Sequence, residues 1–141
     1  MATAATASQG SYLSVDLTVG QAGPYTKVPE IMKISGPGFS VGEIDVTNLD
    51  SPNNTKEYIP GLVDPGDLTA EMNWLPDDTT HIALFNDVGS RTVRKWKITL
   101  SGTTKVITFS GYVKTFPIDL QSGAQKKINL TVRISGAVTI A

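Results

Sequence analysis

"EYIPGLVDPGDLTAEMNW", residues 57–74, is the stretch whose reading decides the fold. Its carboxylates raise the prospect of an acidic metal or catalytic loop, while its apolar residues suggest strands that pack. The second half is decisive. Leu68, Ala70, Met72 and Trp74 alternate with Thr69, Glu71 and Asn73, the period of a half-buried strand. The first half, "EYIPGLV" (57–63), reads as a strand in which Pro60-Gly61 marks a bulge or an edge position. Between them lies "DPG" (64–66). Pro65 suits the first central position of a turn and Gly66 a positive φ, so a hairpin is expected here, with the aspartates as turn formers.

The same reasoning extends outward in both directions. "NLDSPNNTK" (48–56) has nothing to anchor in a core and reads as a protruding hairpin loop, preceded by a strand in "VGEIDVT" (41–47). "SGPG" (35–38) is a turn after a first strand in "KVPEIMKI" (27–34), and residues 1–26, rich in Ala, Ser, Thr and Gly, read as a flexible N-terminal arm. Downstream, "LPDDTTHIALFNDVGS" (75–90) changes period. Asp77 or Asp78 can cap a helix near 78–88; Ile82, Phe85 and Val88 recur at helical spacing, and Gly89 suits a C-terminal cap.

Strands then resume. In "TVRKWKITL" (92–100) Arg94, Trp96, Ile98 and Leu100 share a register, and in "KVITFSGYVKTF" (105–116) Ile107, Phe109 and Val113 do so. "PIDLQSGAQ" (117–125) is a connection. The longest strand, "KKINLTVRISGAVTI" (126–140), turns Ile128, Leu130, Val132 and Ile134 inward and is expected to bend at Gly136. Seven or eight antiparallel strands with one helix make the fold all-β: a β-sandwich or distorted barrel of residues 27–141, with a short flanking helix.

Composition narrows the function. The 141 residues suit one domain, and 12 basic against 13 acidic residues leave a net charge of -1, without the basic stripe that binds nucleic acid. The absence of cysteine excludes disulfides and thiolate chemistry, and a lone histidine, His81, excludes a multi-histidine metal cluster. No signal peptide or 18-residue apolar run is found, so synthesis in a cytoplasm without a membrane segment is expected.

Candidate chemistry is weak throughout. Asp64, Asp67, Asp77 and Asp78 lack a calcium-loop pattern and suit turns and caps. His81, Asp87 and Ser90 lack a nucleophile elbow, and His81 reads as a partly exposed surface residue. Gly36, Gly38 and Gly42 do not form the dinucleotide fingerprint. The N-x-T triplets at Asn53 and Asn129 read as chance; of Arg91, Arg94, Lys95 and Lys97, Arg94 falls on the inward-facing register, which leaves two or three charges on a solvated or interface-forming face. No cofactor, metal or catalytic residue is expected. Assembly remains, because free sheet edges invite pairing with other chains.

Residues 34–90, with "DVTNLDSP", "KEYIPGLVDPGDLTAEMNW" and "PDDTTH" in order, together with the closing "KKINLTVRISGAVTI", resemble the tail tube (major tail) proteins of long-tailed, non-contractile bacteriophages. That family is structurally similar to the tube proteins of contractile tails and type VI secretion. The resemblance implies a non-enzymatic virion subunit, made in the host cytoplasm, whose hexameric rings stack into a hollow tube. It further implies a tape-measure protein inside, tail-tip and terminator partners, and DNA passing through the lumen without specific binding. The loop Asn48, Leu49, Asp50, Ser51, Pro52, Asn53, Asn54, Thr55, Lys56, Glu57 would reach the adjacent ring, with a contribution from the arm. Glu71 and Asn73, or the Lys95/Lys97/Thr99 face, are the candidates for lining the bore. The rival reading is a monomeric β-sandwich carbohydrate-binding or host-attachment module, which calls for exposed aromatics on one sheet face; Trp74 and Trp96 instead fall on core registers.

Overall fold

A computed structural model describes residues 7, 9–18 and 23–141. Among these, ten strands and one α-helix follow in the order β1 (Tyr12–Asp16), β2 (Tyr25–Lys27), β3 (Ile31–Ser35), β4 (Ser40–Asp45), β5 (Tyr58–Asp64), β6 (Asp67–Asn73), α1 (Thr79–Ser90), β7 (Val93–Thr99), β8 (Val106–Thr115), β9 (Ile118–Asp119) and β10 (Lys127–Ile140). The main sheet runs β2-β1-β7-β8-β10-β6-β3, with β9 beside β10, and every pairing is antiparallel. A second sheet holds β4 and β5 alone.

Alternation fills the core as expected. Leu68, Ala70 and Met72 of β6 pack with Trp96 and Ile98 of β7, Phe109 and Val113 of β8, and Ile128, Leu130, Val132 and Ile134 of β10, all buried in one cluster. Trp96 stacks on Phe109 at 6.5 Å and donates its indole N–H to Gly111 O at 3.2 Å, so its polar end is satisfied inside. β10 joins the two halves: Lys127–Arg133 pair with β6, and Thr131–Ile140 pair with β8. The expected bend is seen where the β10–β8 register shifts between Ser135 and Thr139.

Two expectations are corrected. The sandwich starts at Tyr12, not at residue 27. β1 pairs with β7 and puts Leu13 and Val15 into the core, and β2 pairs with β1. The "YLSVD" strand lies inside the stretch read as an arm, hidden by the small polar residues around it; residues 1–6, 8 and 19–22 of that arm lie outside the described residues. Nor do the strands flanking "DPG" form a hairpin. β5 pairs with β4, and β6 pairs with β10 and β3.

What replaces the hairpin is a long bent ribbon. β3 pairs with β6 up to Ser35↔Thr69, and the pairing resumes beyond the bend from Ser40↔Asp64. Both chains turn at the same level, at "GPG" (36–38) and "DPG" (64–66). Gly36 (φ +107) and Gly66 (φ +74) carry the turn, and their α-carbons press so closely on the opposite chain that a Cβ would lie 2.5 Å from Asp67 O or Gly38 O. "DPG" is a corner, and it sends β4 and β5 out of the body.

Candidate assembly surface

Beyond the corner, among the described residues, β4 and β5 pair only with each other. Each residue of β4 is exposed, as is each residue of β5 except half-buried Gly61. Cross-strand pairs set Glu43 against Pro60 and Asp45 against Tyr58 on one face, and Ile44 against Ile59 on the other. Val41, Val63 and Leu62 are also open to solvent, Leu62 at 92%. An isolated two-stranded hairpin is marginal in water. Its root, however, is tied down: Arg133 of β10 reaches Asp67 Oδ1 at 3.1 Å and Asp64 Oδ1 at 3.2 Å, and Asp64 also accepts from Gly66 N at 2.9 Å. These bonds, the Gly66 amide first and then the Arg133 charge, hold the Asp64 carboxyl below its usual range.

The tip carries its own framework. Asn48 Oδ1 accepts from Asp50 N at 2.8 Å, Ser51 Oγ accepts from Asn48 N at 3.0 Å and donates to Glu57 Oε2 at 2.8 Å, and Thr47 Oγ1 accepts from Glu57 N at 2.8 Å. Pro52–Asn54 form a 3₁₀ turn in which Asn53 and Asn54 take positive φ, a region asparagine tolerates. Residues 48–56 are exposed apart from half-buried Ser51. They form a preformed knob, with Leu49 fully exposed at its end.

A second apolar surface lies on α1. Asp78 caps the helix by accepting from Thr80 N and His81 N, and Arg91 in the left-handed region ends it, two residues after the Gly89 expected there. The side chains recognised by helical spacing face outward: Ile82, Phe85 and Val88 are 43, 52 and 41% exposed. Phe85 meets Phe116 edge-on at 5.6 Å. The buried face is Thr80, His81, Leu84 and Asp87.

His81 is fully buried, not partly exposed. Its Nδ1 accepts from Leu75 N at 3.0 Å, so Nε2 carries the proton and donates to Pro29 O at 3.1 Å. Both ring nitrogens are committed to backbone groups. Asp87 is taken by Arg94, whose Nη2 lies 2.9 Å away, and Ser90 bonds to Thr92, so His81, Asp87 and Ser90 are each engaged with other partners. The inward register foreseen for Arg94 is explained by this pair, whose hydrogen bond raises the guanidinium pKa.

The remaining candidates disperse. Asp64 and Asp67 converge on Arg133, and Asp78 is the helix cap. Among the described residues no group of three or more His, Cys, Asp or Glu could hold a metal ion. Gly36 is part of the corner, and Gly42 faces Leu62 across the ribbon. Glu71 pairs with Lys127 at 2.6 Å, which lowers the carboxyl pKa and raises that of the ammonium. Lys97 lies over the Tyr25 ring at 4.7 Å and Lys27 over Tyr12 at 5.0 Å, a basic, aromatic face that sequence reading missed because its partners lie in the presumed arm. No described helix is long and apolar enough to cross a membrane.

A β body bearing a projecting ribbon, apolar on one face and self-braced at its tip, defines a protein built to join others. Comparisons with known proteins specify which. The profile of the family described as "Lambda phage tail tube protein, TTP" matches residues 14–141, and the chain belongs to that family. It is thus a structural subunit of a virion tail tube. "Structural protein 3" of Pseudomonas phage PAJU2 is 24% identical over 127 residues, covering 75% of this chain and 76% of that protein. Among solved structures, the tail of a gene transfer agent particle, refined with C6 symmetry, superposes with a TM-score of 0.78 at 12% identity over 97% of this chain and 99% of its own. The SPP1 tail tube gives 0.68 at 11% identity over 92% and 75%. The sheath/tube terminator of an extracellular contractile injection system gives 0.73 at 16% over 97% and 96%. These likenesses are likenesses of fold.

Proposed function

We propose that the chain forms hexameric rings which stack into a hollow tube, and that residues Asn48–Glu57, at the end of the ribbon, engage the adjacent ring. The observation that carries this reading is the ribbon: its pairing stops at its own two strands, its apolar residues are bare, and its tip is already folded. Such a knob costs little entropy to dock, because its backbone is ordered before the partner arrives. The sixfold symmetry of the gene transfer agent tail supports six as the ring number. The role is mechanical, without catalysis. A tape-measure protein occupies the bore during assembly, DNA passes later without specific binding, and terminator and tip proteins close the ends. The stretch ahead of Tyr12 contributes to the contact between rings.

Deleting residues 49–55 tests the assignment. The knob contributes nothing to the core, so the deletion variant is expected to melt within a few degrees of wild type but to grow no tubes in negative stain, even with wild-type fragments as seeds. Normal tube growth by the folded variant sinks the assignment of the loop.

A further inference from the structure

Charge is unevenly divided in this molecule. Residues 40–64 hold five carboxylates (Glu43, Asp45, Asp50, Glu57 and Asp64) and one lysine, Lys56, so the remainder of a chain of net charge -1 is net positive. The positive part has a clear focus. On the outer face of β1, β2 and β7, the register sets Lys27 and Lys97 on either side of Ser14, and Lys95 lies two residues from Lys97 on the same face. Tyr12 and Tyr25 hold the Lys27 and Lys97 ammonium groups above their rings.

The ribbon has two unlike faces. Ile44 and Ile59 occupy one; Glu43, Asp45 and Tyr58 occupy the other. Asp45 is held below its ordinary pKa, first by the Thr47 hydroxyl and then by its amide. Among the described residues Glu43 and Asp45 are exposed, and Asp45 accepts from the neighbouring Thr47 N.

We propose that the acidic face of the ribbon, at Glu43 and Asp45, docks on the Lys27–Lys97 face of a second copy. The inference rests on the tube reading and deepens it by naming the receiving surface. Complementarity is matched in kind as well as in sign: carboxylates and a tyrosine on one side, ammonium groups and tyrosines on the other. A donor surface and a different receiver surface on one chain make a heterologous contact, the kind that closes rings or propagates filaments; a self-complementary patch gives only dimers. The ring stem of each tyrosine keeps its lysine extended, which reduces the ordering cost of a salt link.

The test uses full-length chains with reversed charges. K27E/K97E and E43K/D45K are each expected to raise the concentration needed for tube growth about tenfold or more, since like charges then face each other. Mixed in equal amounts they restore it, as does the quadruple variant alone, because each acidic ribbon again finds a basic face or the reverse. Circular dichroism melts check that all variants fold. Either double variant assembling like wild type overturns the docking, and so does a folded quadruple variant that stays unassembled. If the K27E/K97E chain builds normal tubes but loses duplex DNA retained by wild type in a filter assay, the face belongs to nucleic acid and the proposal fails. Wild-type growth in the same series tests the tube reading separately.

Discussion

The corner that launches the ribbon predicts an order among three alanine substitutions. At Gly66 an L-residue must hold φ +74, which costs about 1 kcal/mol, and its Cβ would stand 2.5 Å from Gly38 O. Overpacking of that kind costs about 1–3 kcal/mol, but the opposing chain here is the exposed start of the ribbon and can swing aside, so the low end applies. Gly66→Ala is therefore expected to lose about 2 kcal/mol in all. At about 3–5 °C per kcal/mol for a chain of this size, Tm falls by about 6–10 °C. Gly36→Ala should cost more, because its Cβ meets Asp67 O at 2.5 Å and Leu68 Cα at 3.1 Å, and Leu68 is fixed in the core. Gly38→Ala has no heavy atom within 4 Å and no positive φ, so it stays within about 0.5 kcal/mol of wild type. Differential scanning calorimetry gives the order directly. A second readout is tube growth, which Gly66→Ala slows beyond its stability loss by re-aiming the ribbon. Equal melting for Gly66→Ala and Gly38→Ala, or a harmless Gly36→Ala, refutes the corner as the element that sets the ribbon.

Two further outcomes concern polar groups. His81→Leu leaves Leu75 N–H and Pro29 C=O without their partner and is expected to cost about 2–6 kcal/mol in chemical denaturation, two unmet backbone groups at about 1–3 each; an unchanged midpoint means that the histidine only fills space. Acid should loosen the ribbon root before the body. Asp64 has a folded pKa below its unfolded value, so its contribution is present above the unfolded value, about 4, and is lost as pH falls through the folded one. The protection of the Gly66 amide, its exchange rate taken relative to the intrinsic rate at each pH, is expected to fall on acidification through that window, and Asp64→Asn to remove that change in protection. Wild-type protection indifferent to pH there excludes Asp64 as the tie.

Much of the sheet was legible because its strands are buried on one side. For Leu68–Met72 and Ile128–Ile134 alternation and burial coincide residue by residue. The "YLSVD" strand was not: Leu13 and Val15 alternate with Ser14 and Asp16, but over only five residues set among small polar ones, and the burial of Ser14 and Asp16 on the second face has no sequence signal. The "DPG" corner was misread for a different reason. Proline followed by a positive-φ glycine specifies a change of direction, but local chemistry does not say whether the next strand folds back on the last or pairs elsewhere. That choice is made by Gly36 facing Asp67 and by Arg133 on β10, both distant in sequence.

The most instructive mismatch is α1. Periodicity found a real apolar stripe, Ile82, Phe85 and Val88, and burial belongs to the other stripe, Leu84 with Thr80, His81 and Asp87. The buried stripe is polar because each polar group there has a specific partner: His81 bridges Leu75 and Pro29, and Asp87 grips Arg94, whose Nη1 also reaches Asp16 O at 3.4 Å. Hydrogen bonds to named atoms thus fix the helix to the body together with buried Leu84, and Ile82, Phe85 and Val88 are left on its outer face. The ribbon repeats the division, with Arg133 gripping its root and Leu49 and Leu62 bare beyond it. In this chain the apolar pattern marks exposed surfaces as readily as it marks the core. Sequence period alone does not separate the two; the polar partners do, because a buried charge must be satisfied within the subunit whether or not a neighbour comes.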